Sequence, residues 1–129
     1  KQTIVRNRNK IMISVAASLV IKNDIEYLWY AAHSGDHEIY PDCRPEFIDK
    51  MAAVLEICDY HKIKFEAPFQ NLSKNEIVAT GLSMGLDYSK TWTCYEGKEK
   101  PCGKCSACLE RALSFEANNT EDPLNVVSN

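Results

Sequence analysis

The stretch Thr91–Arg111, TWTCYEGKEKPCGKCSACLER, places four cysteines within fifteen residues. They stand at Cys94, Cys102, Cys105 and Cys108, while Cys43 and Cys58 lie far upstream. Uneven clustering of this kind suits a metal site better than a framework of disulfides. The spacing is Cys-x7-Cys-x2-Cys-x2-Cys. A Cys-x2-Cys pair lets two thiolates converge on one ion at ~2.3 Å, and zinc takes four ligands as a tetrahedron. Pro101 and Gly103 supply tight turns beside the pairs. Cys108 falls in the first turn of the last helix, where the helix N-terminus favours a thiolate. Four thiolates close the coordination sphere, and a closed site is structural rather than catalytic. Lys98, Lys100, Lys104 and Arg111 are placed to offset the negative charge. The rivals are a redox Cys-x2-Cys pair, a disulfide and an iron–sulfur cluster. On any metal reading, sulfur pins a C-terminal segment that has little core of its own.

Around that cluster the chain is ordinary in composition. Its 129 residues suffice for one compact domain, and 45% hydrophobic with 26% charged residues reads as soluble and globular. A net charge of -3 and a pI near 5.6 argue against a nucleic-acid backbone binder, whose footprint is usually basic. No apolar run approaches the ~20 residues that span a bilayer. Lys1 to Lys10 is polar and does not read as a signal peptide. The first residue is not Met, so the chain is expected to be processed or to begin within a gene. Asn118-Asn119-Thr120 matches a glycosylation sequon that carries no weight without secretion.

Upstream, IMISVAASLVI (Ile11–Ile21) is apolar almost all round and predicts a buried helix over Asn9–Lys22. Glu26–Ala32 is an aromatic and β-branched run and predicts a buried strand. His33–Arg44 reads as a polar loop, and Pro45 opens a helix at a favoured first position. Phe47, Met51, Val54, Leu55 and Cys58 mark its apolar face, which makes Cys58 a core residue. Lys62–Pro68 alternates as a strand. Ser73-x-x-Glu76 is a capping box for a helix stopping near Gly81. Leu82–Thr93 reads as a short helix followed by irregular chain. Cys105–Ala117 predicts a last helix, with Trp92 packed under the cysteine loop and residues 118–129 a polar, frayed tail. Strands alternating with helices imply βαβ units and a parallel sheet. Two strands are few for such a sheet.

Three stretches, YPDCRPEFI (Tyr40–Ile48), LSKNEIV (Leu72–Val78) and the cysteine segment, resemble the 7-cyano-7-deazaguanine synthase, or QueC, family. Arg8-Asn9 before the apolar helix is similar too, and the match runs from about Val5 to Ala117. The resemblance implies an α/β fold: part of an adenine nucleotide α-hydrolase-like (N-type ATP pyrophosphatase) parallel sheet with a C-terminal zinc-bound segment held by four cysteines. It implies one synthase domain over 1–117, with the zinc segment at 91–111, in a cytoplasmic homodimer. The implied substrates are 7-carboxy-7-deazaguanine, ammonia and ATP with Mg²⁺; the product is a nitrile precursor of queuosine. The zinc ligands map to Cys94, Cys102, Cys105 and Cys108. One departure is large. The family's Ser-Gly-Gly-x-Asp-Ser loop, which cradles phosphate with backbone N–H groups, has no counterpart here. The chain is therefore expected to be a C-terminal part, inactive alone, with its N-terminal half in cis or in a separate chain.

Candidate chemistry lies mainly in the His33–Arg44 loop, which follows a strand where open α/β sheets bind ligands. Asp36 and Asp42 are candidate catalytic groups holding Mg²⁺ or the substrate's polar edge. Arg44 can pair a carboxylate or phosphate in bidentate fashion. Tyr40 is a candidate for stacking on a planar base. Arg8 and Asn9, at a helix start, suit phosphate or adenylate contacts. His33 and His37 more commonly serve as solvated loop histidines than as bases, and Cys43 is read as structural because ATP activation needs no thiol nucleophile. Lys74 and Glu76 are assigned to the helix start. Two other readings stay open: a related enzyme that transfers a deazaguanine to a protein or nucleic-acid acceptor, and a zinc-stabilised protein-binding module.

Overall fold

A computed structural model of the chain describes residues 5–97 and 99–126, so Lys98 and the last three tail residues lie outside the description. The chain divides between Asn71 and Leu72 into two units.

The first unit runs through helix α1 (Arg8–Lys22), strand β1 (Tyr27–Trp29), helix α2 (Pro45–Ile57) and strand β2 (Lys64–Glu66). The two strands pair in parallel, with Tyr27 opposite Lys64, Leu28 opposite Phe65 and Trp29 opposite Glu66. A parallel pair needs a crossover, and α2 supplies it. Both strands are shorter than the stretches that announced them, and β1 is not the buried strand expected: Tyr27 and Trp29 are exposed and Leu28 is half-buried, because the sheet has only two strands to cover it. One hydrogen bond extends the ladder at each end, Lys64 N–H to Glu26 O at 2.8 Å and Tyr30 N–H to Glu66 O at 2.8 Å. The core gathers Ile13 and Ala17 of α1, Ile48, Met51 and Leu55 of α2, and Phe65 of β2. Tyr30 stacks on Phe65 with ring centroids 6.0 Å apart.

Two sequence expectations change here. The helix over residues 9–22 begins one residue earlier, so Arg8 and Asn9 form its first turn rather than precede it. It is also not buried all round: Ile13, Ala17 and Val20 are buried, but Ile11, Met12, Val15 and Leu19 are each more than half exposed. Apolar composition on every face cannot say which face finds a partner. On α2, Pro45 occupies the first turn as expected. The buried face is Ile48, Met51 and Leu55, however, and both Val54 and Cys58 are exposed. Cys58 lies at the C-cap, where its thiol donates to the Leu55 carbonyl at 3.4 Å.

The second unit holds helix α3 (Lys74–Ser83), a turn of 3₁₀ helix at Tyr88–Lys90, and helix α4 (Ser106–Ala117). The capping box forms as read: Ser73 N–H donates to the Glu76 carboxylate at 2.7 Å, and Glu76 N–H donates to Ser73 Oγ at 3.3 Å. α3 ends at Ser83, close to the stop expected near Gly81. Gly81 itself is glycine for a packing reason. A Cβ there would collide with the Tyr88 hydroxyl, so only a bare backbone admits the ring. Tyr88 in turn donates to the Val78 carbonyl at 3.1 Å and packs edge-on to Phe115 at 5.1 Å.

The tail is the third correction. Asn119 takes a left-handed conformation (φ 51) that ends α4, with Thr120 N–H donating back to the Phe115 carbonyl. Asn118-Asn119 is thus a helix stop. Beyond it the chain folds back rather than fraying. Asp122 is buried, and its carboxylate accepts two bonds from Arg111, from Nε and from Nη2, each 2.7 Å. Arg111 also reaches Thr91 Oγ1 at 2.8 Å and the Tyr88 carbonyl at 3.1 Å. Its charge is taken up by Asp122, not by the cysteine cluster. Val126 is buried beside Cys94, Cys108 and Ala112. Among the described residues no helix is long and apolar enough to cross a membrane.

Removing one member of a buried, doubly bonded ion pair strands the other charge. We expect Asp122→Ala to destabilise the protein by about 3–5 kcal/mol, against a smaller loss for Asp122→Asn. Urea unfolding measures both; equal, negligible losses would show that the clamp contributes nothing.

Candidate functional site

Among its described residues the cysteine segment has no strand and no helix before Ser106, so its shape comes from short bonds to sulfur. Glu96 N–H and Cys102 N–H both donate to Cys94 Sγ, at 3.4 and 3.3 Å, and Cys105 N–H donates to Cys102 Sγ at 3.3 Å. Gly103, at φ +68, makes the turn between Cys102 and Cys105 in a conformation that would strain any side chain. Cys105 caps α4 and Cys108 lies one turn in. The four Sγ atoms converge within 4.8 Å of one another, and Cys102 and Cys108 stand 4.0 Å apart. An ion bonded at ~2.3 Å to four tetrahedral sulfurs would hold them ~3.8 Å apart. The cluster therefore fits a metal ion with small closure. No described cysteine is in a disulfide. Cys94 and Cys108 are buried and the other two half-buried, so little of the donor set faces water.

The thiols are not equivalent. Backbone N–H groups of Tyr95 and Cys108 aimed at Cys105 lower its pKa to about 6. The N–H of Cys102 lowers that of Cys94. Burial pushes Cys108 up to about 12. Position in the first turn of α4 was expected to favour the Cys108 thiolate; burial outweighs it until a cation arrives. Trp92 does not pack beneath the loop. It is half-exposed, and its indole N–H donates to the Cys94 carbonyl at 3.0 Å.

In the first unit the structure gathers part of the loop set named from sequence. Asn9 Nδ2 donates to Asp42 Oδ2 at 2.9 Å, and Arg8 Nε donates to Asn9 Oδ1 at 3.3 Å. The first turn of α1 and the 3₁₀ turn Pro41–Cys43 thus meet across 33 residues of sequence. Asp36 is instead paired with His33 Nε2 at 3.2 Å. Arg44 is exposed, with Nε donating to the His37 carbonyl at 2.8 Å. Tyr40 is partly buried against the core. Cys43 is buried, and its thiol is raised in pKa first by that burial, so it stays protonated at neutral pH. This agrees with its structural reading. Sequence reasoning missed Tyr30. Its hydroxyl donates to the Asp42 carbonyl at 3.2 Å and lies 3.7 Å from Cys43 Sγ, tying β1 to the loop. A tyrosine closing an apolar strand was the available signal, since buried Tyr O–H groups seek a partner.

Near neutral pH, Cys105 is already largely ionised while Cys108 keeps its proton. Zinc uptake by metal-free protein is therefore expected to release fewer than four protons per ion, the Cys108 proton among them. As pH falls through about 6, Cys105 gains a proton, so release per ion rises and affinity drops. Calorimetric zinc titrations in buffers of different ionisation enthalpy count these protons; a release that does not change across pH 6 would contradict the assignment.

Comparison with known proteins gives the geometry its context. A family model described as queuosine biosynthesis protein QueC matches residues 1–119. Over 124 residues the chain is 51% identical to the 7-cyano-7-deazaguanine synthase of Marinobacter nauticus. It is 52% identical to that of Pseudoalteromonas atlantica and 48% identical to that of Methanoregula boonei. Each alignment covers 96% of this chain but only 56–57% of the relative, so the chain spans little more than half their length. With identity at this level over 96% of its length and a family model over residues 1–119, the chain belongs to the QueC family.

Proposed function

We propose that this chain is the C-terminal part of an ATP-dependent synthase that converts 7-carboxy-7-deazaguanine and ammonia into 7-cyano-7-deazaguanine. The observation that carries this reading is the identity of about half the residues to synthases of that name over 96% of the chain. The chemistry is an activation carried out twice. ATP adenylates the substrate carboxylate and pyrophosphate leaves. Ammonia attacks the acyl carbon, AMP departs, and the extra proton goes to solvent. A second ATP adenylates the amide oxygen with release of pyrophosphate and one N–H proton, and loss of AMP with the remaining N–H proton leaves the nitrile.

Within this scheme the sheet belongs to an adenine nucleotide α-hydrolase-like fold completed by further strands, and the phosphate-cradling Ser-Gly-Gly-x-Asp-Ser loop lies outside these residues. Asp42 and Asp36 are assigned to Mg²⁺, Arg44 to the carboxylate or phosphate, and Arg8 with Asn9 to the adenylate. The Arg8–Asn9–Asp42 chain supports the assignment, because it aligns a cation, an amide and a carboxylate in one hydrogen-bonded row. Tyr40 keeps a stacking role only through its exposed part. The four cysteines hold a structural zinc, which fixes the segment without entering the reaction. The working form is a cytoplasmic homodimer.

The test uses the complete gene product. With ATP, Mg²⁺, ammonium and 7-carboxy-7-deazaguanine, mass spectrometry is expected to show the nitrile accompanied by AMP. Asp42→Asn should lower kcat/KM by roughly a hundredfold at unchanged zinc content. ATP consumption without nitrile would point to another acceptor, and no turnover from folded, zinc-loaded protein would reject the synthase.

A further inference from the structure

The second unit contains a cavity of about 350 Å³, lined by α3, the chain between Tyr88 and Tyr95, and α4, that the assignments above do not use. Its size lies within the roughly 300–1,000 Å³ of small-molecule sites. Val78, Tyr88 and Phe115 contribute its apolar wall, and Tyr95, next to the ligand cysteine Cys94, stands at its edge. The wall is rigid. Tyr88 is locked by its bond to the Val78 carbonyl and by its edge-on contact with Phe115, and the Arg111 guanidinium lies 5.2 Å from the centre of the Phe115 ring.

Its polar equipment is one ion pair. Lys74, in the first turn of α3, bonds to Glu110, in the first half of α4, and both line the cavity. Glu110 is about half exposed and Lys74 somewhat less, at 52% and 38% of the side chain. A solvent-facing pair adds little to stability, so it is readily exchanged for contacts to a ligand. An ammonium beside a carboxylate presents donors next to two acceptors. The pyrimidine edge of a guanine-type base is the complement: the O6 acceptor, then the N1–H and N2–H donors. An adenine-type edge, with a donor at position 6, would meet the ammonium wrongly.

We propose that this cavity binds the guanine-type bicyclic base, with Tyr88 and Phe115 against its apolar surface, Lys74 on O6, and Glu110 accepting from N1–H and the 2-amino group. The inference rests on the substrate reading above and deepens it. Because Tyr95 is carried on the cysteine segment, the metal would hold one edge of the cavity in shape. Lys74 and Glu110 then act as specificity residues, and Lys74 on O6 stands on the same side of the base as the 7-carboxylate.

Binding is tested separately from turnover, by calorimetric titration of 7-carboxy-7-deazaguanine into the complete, zinc-loaded gene product. Glu110→Gln should weaken binding roughly tenfold or more. The wild-type protein should also discriminate against an analogue lacking the 2-amino group, and Glu110→Gln should lose that discrimination, which a merely structural role for Glu110 would not produce. Thr93→Trp, an exposed lining position, should obstruct the cavity and abolish binding. Unchanged affinity in both variants, or no binding by the wild-type protein, overturns the proposal. Turnover judges the other reading. Wild-type protein that binds the base through Glu110 but forms no nitrile keeps the cavity and removes the synthase. Nitrile formation with normal binding in both variants keeps the synthase and removes the cavity.

Discussion

The convergence of four cysteine sulfurs within 4.8 Å is the constraint on which the second unit depends. The described residues from Thr91 to Cys105 contain neither helix nor strand, so they have no ladder of backbone bonds to hold them. Bonds from backbone N–H groups to sulfur replace that ladder, and they aim the thiols at one point. Four thiolates so close together repel one another and would be costly without a cation. Burial adds a separate desolvation cost, which raises the Cys108 thiol. A bound ion turns the same crowding into cohesion, which is how a structural zinc contributes folding energy.

Arg111 extends that local order into the rest of the unit. It sits one turn beyond Cys108 and binds Asp122, Thr91 and the Tyr88 carbonyl at once. One guanidinium thereby links α4, the approach to the cysteine segment and the returning tail. An arginine suits the place because its planar fork meets a carboxylate with two parallel bonds. The same array stiffens the wall formed by Tyr88 and Phe115.

The first unit shows a different constraint. Two three-residue strands in parallel register, with α2 as crossover, form a small sheet with a genuine core on Phe65, Ile48 and Met51. Isolated two-stranded sheets are marginal, and α1 leaves Ile11, Val15 and Leu19 in water. What the unit does achieve is to bring Asn9 and Asp42 within a hydrogen bond, with Tyr30 holding the loop from beneath.

Much of this was legible in the sequence, and the reasons differ by element. Local chemistry determined the capping box at Ser73, the proline start of α2 and the ligand spacing of the cysteines, because each depends on residues within a few positions of one another. The family followed from motifs of the same short-range kind. What the sequence could not decide was which apolar face would be covered. The all-round apolar α1 and the exposed Cys58 follow from what packs nearby, not from periodicity. Nor could it reveal partners distant in the chain. Asn9 with Asp42, and Lys74 with Glu110 across a cavity, exist only once helices are placed in space. The polar tail looked loose for the same reason: Asp122 has no order of its own until Arg111, one helix earlier, supplies a buried counter-charge. Sequence by itself determined the four-cysteine cluster and the local helix starts; tertiary structure alone decided burial and long-range pairing, because those energies depend on neighbours in space.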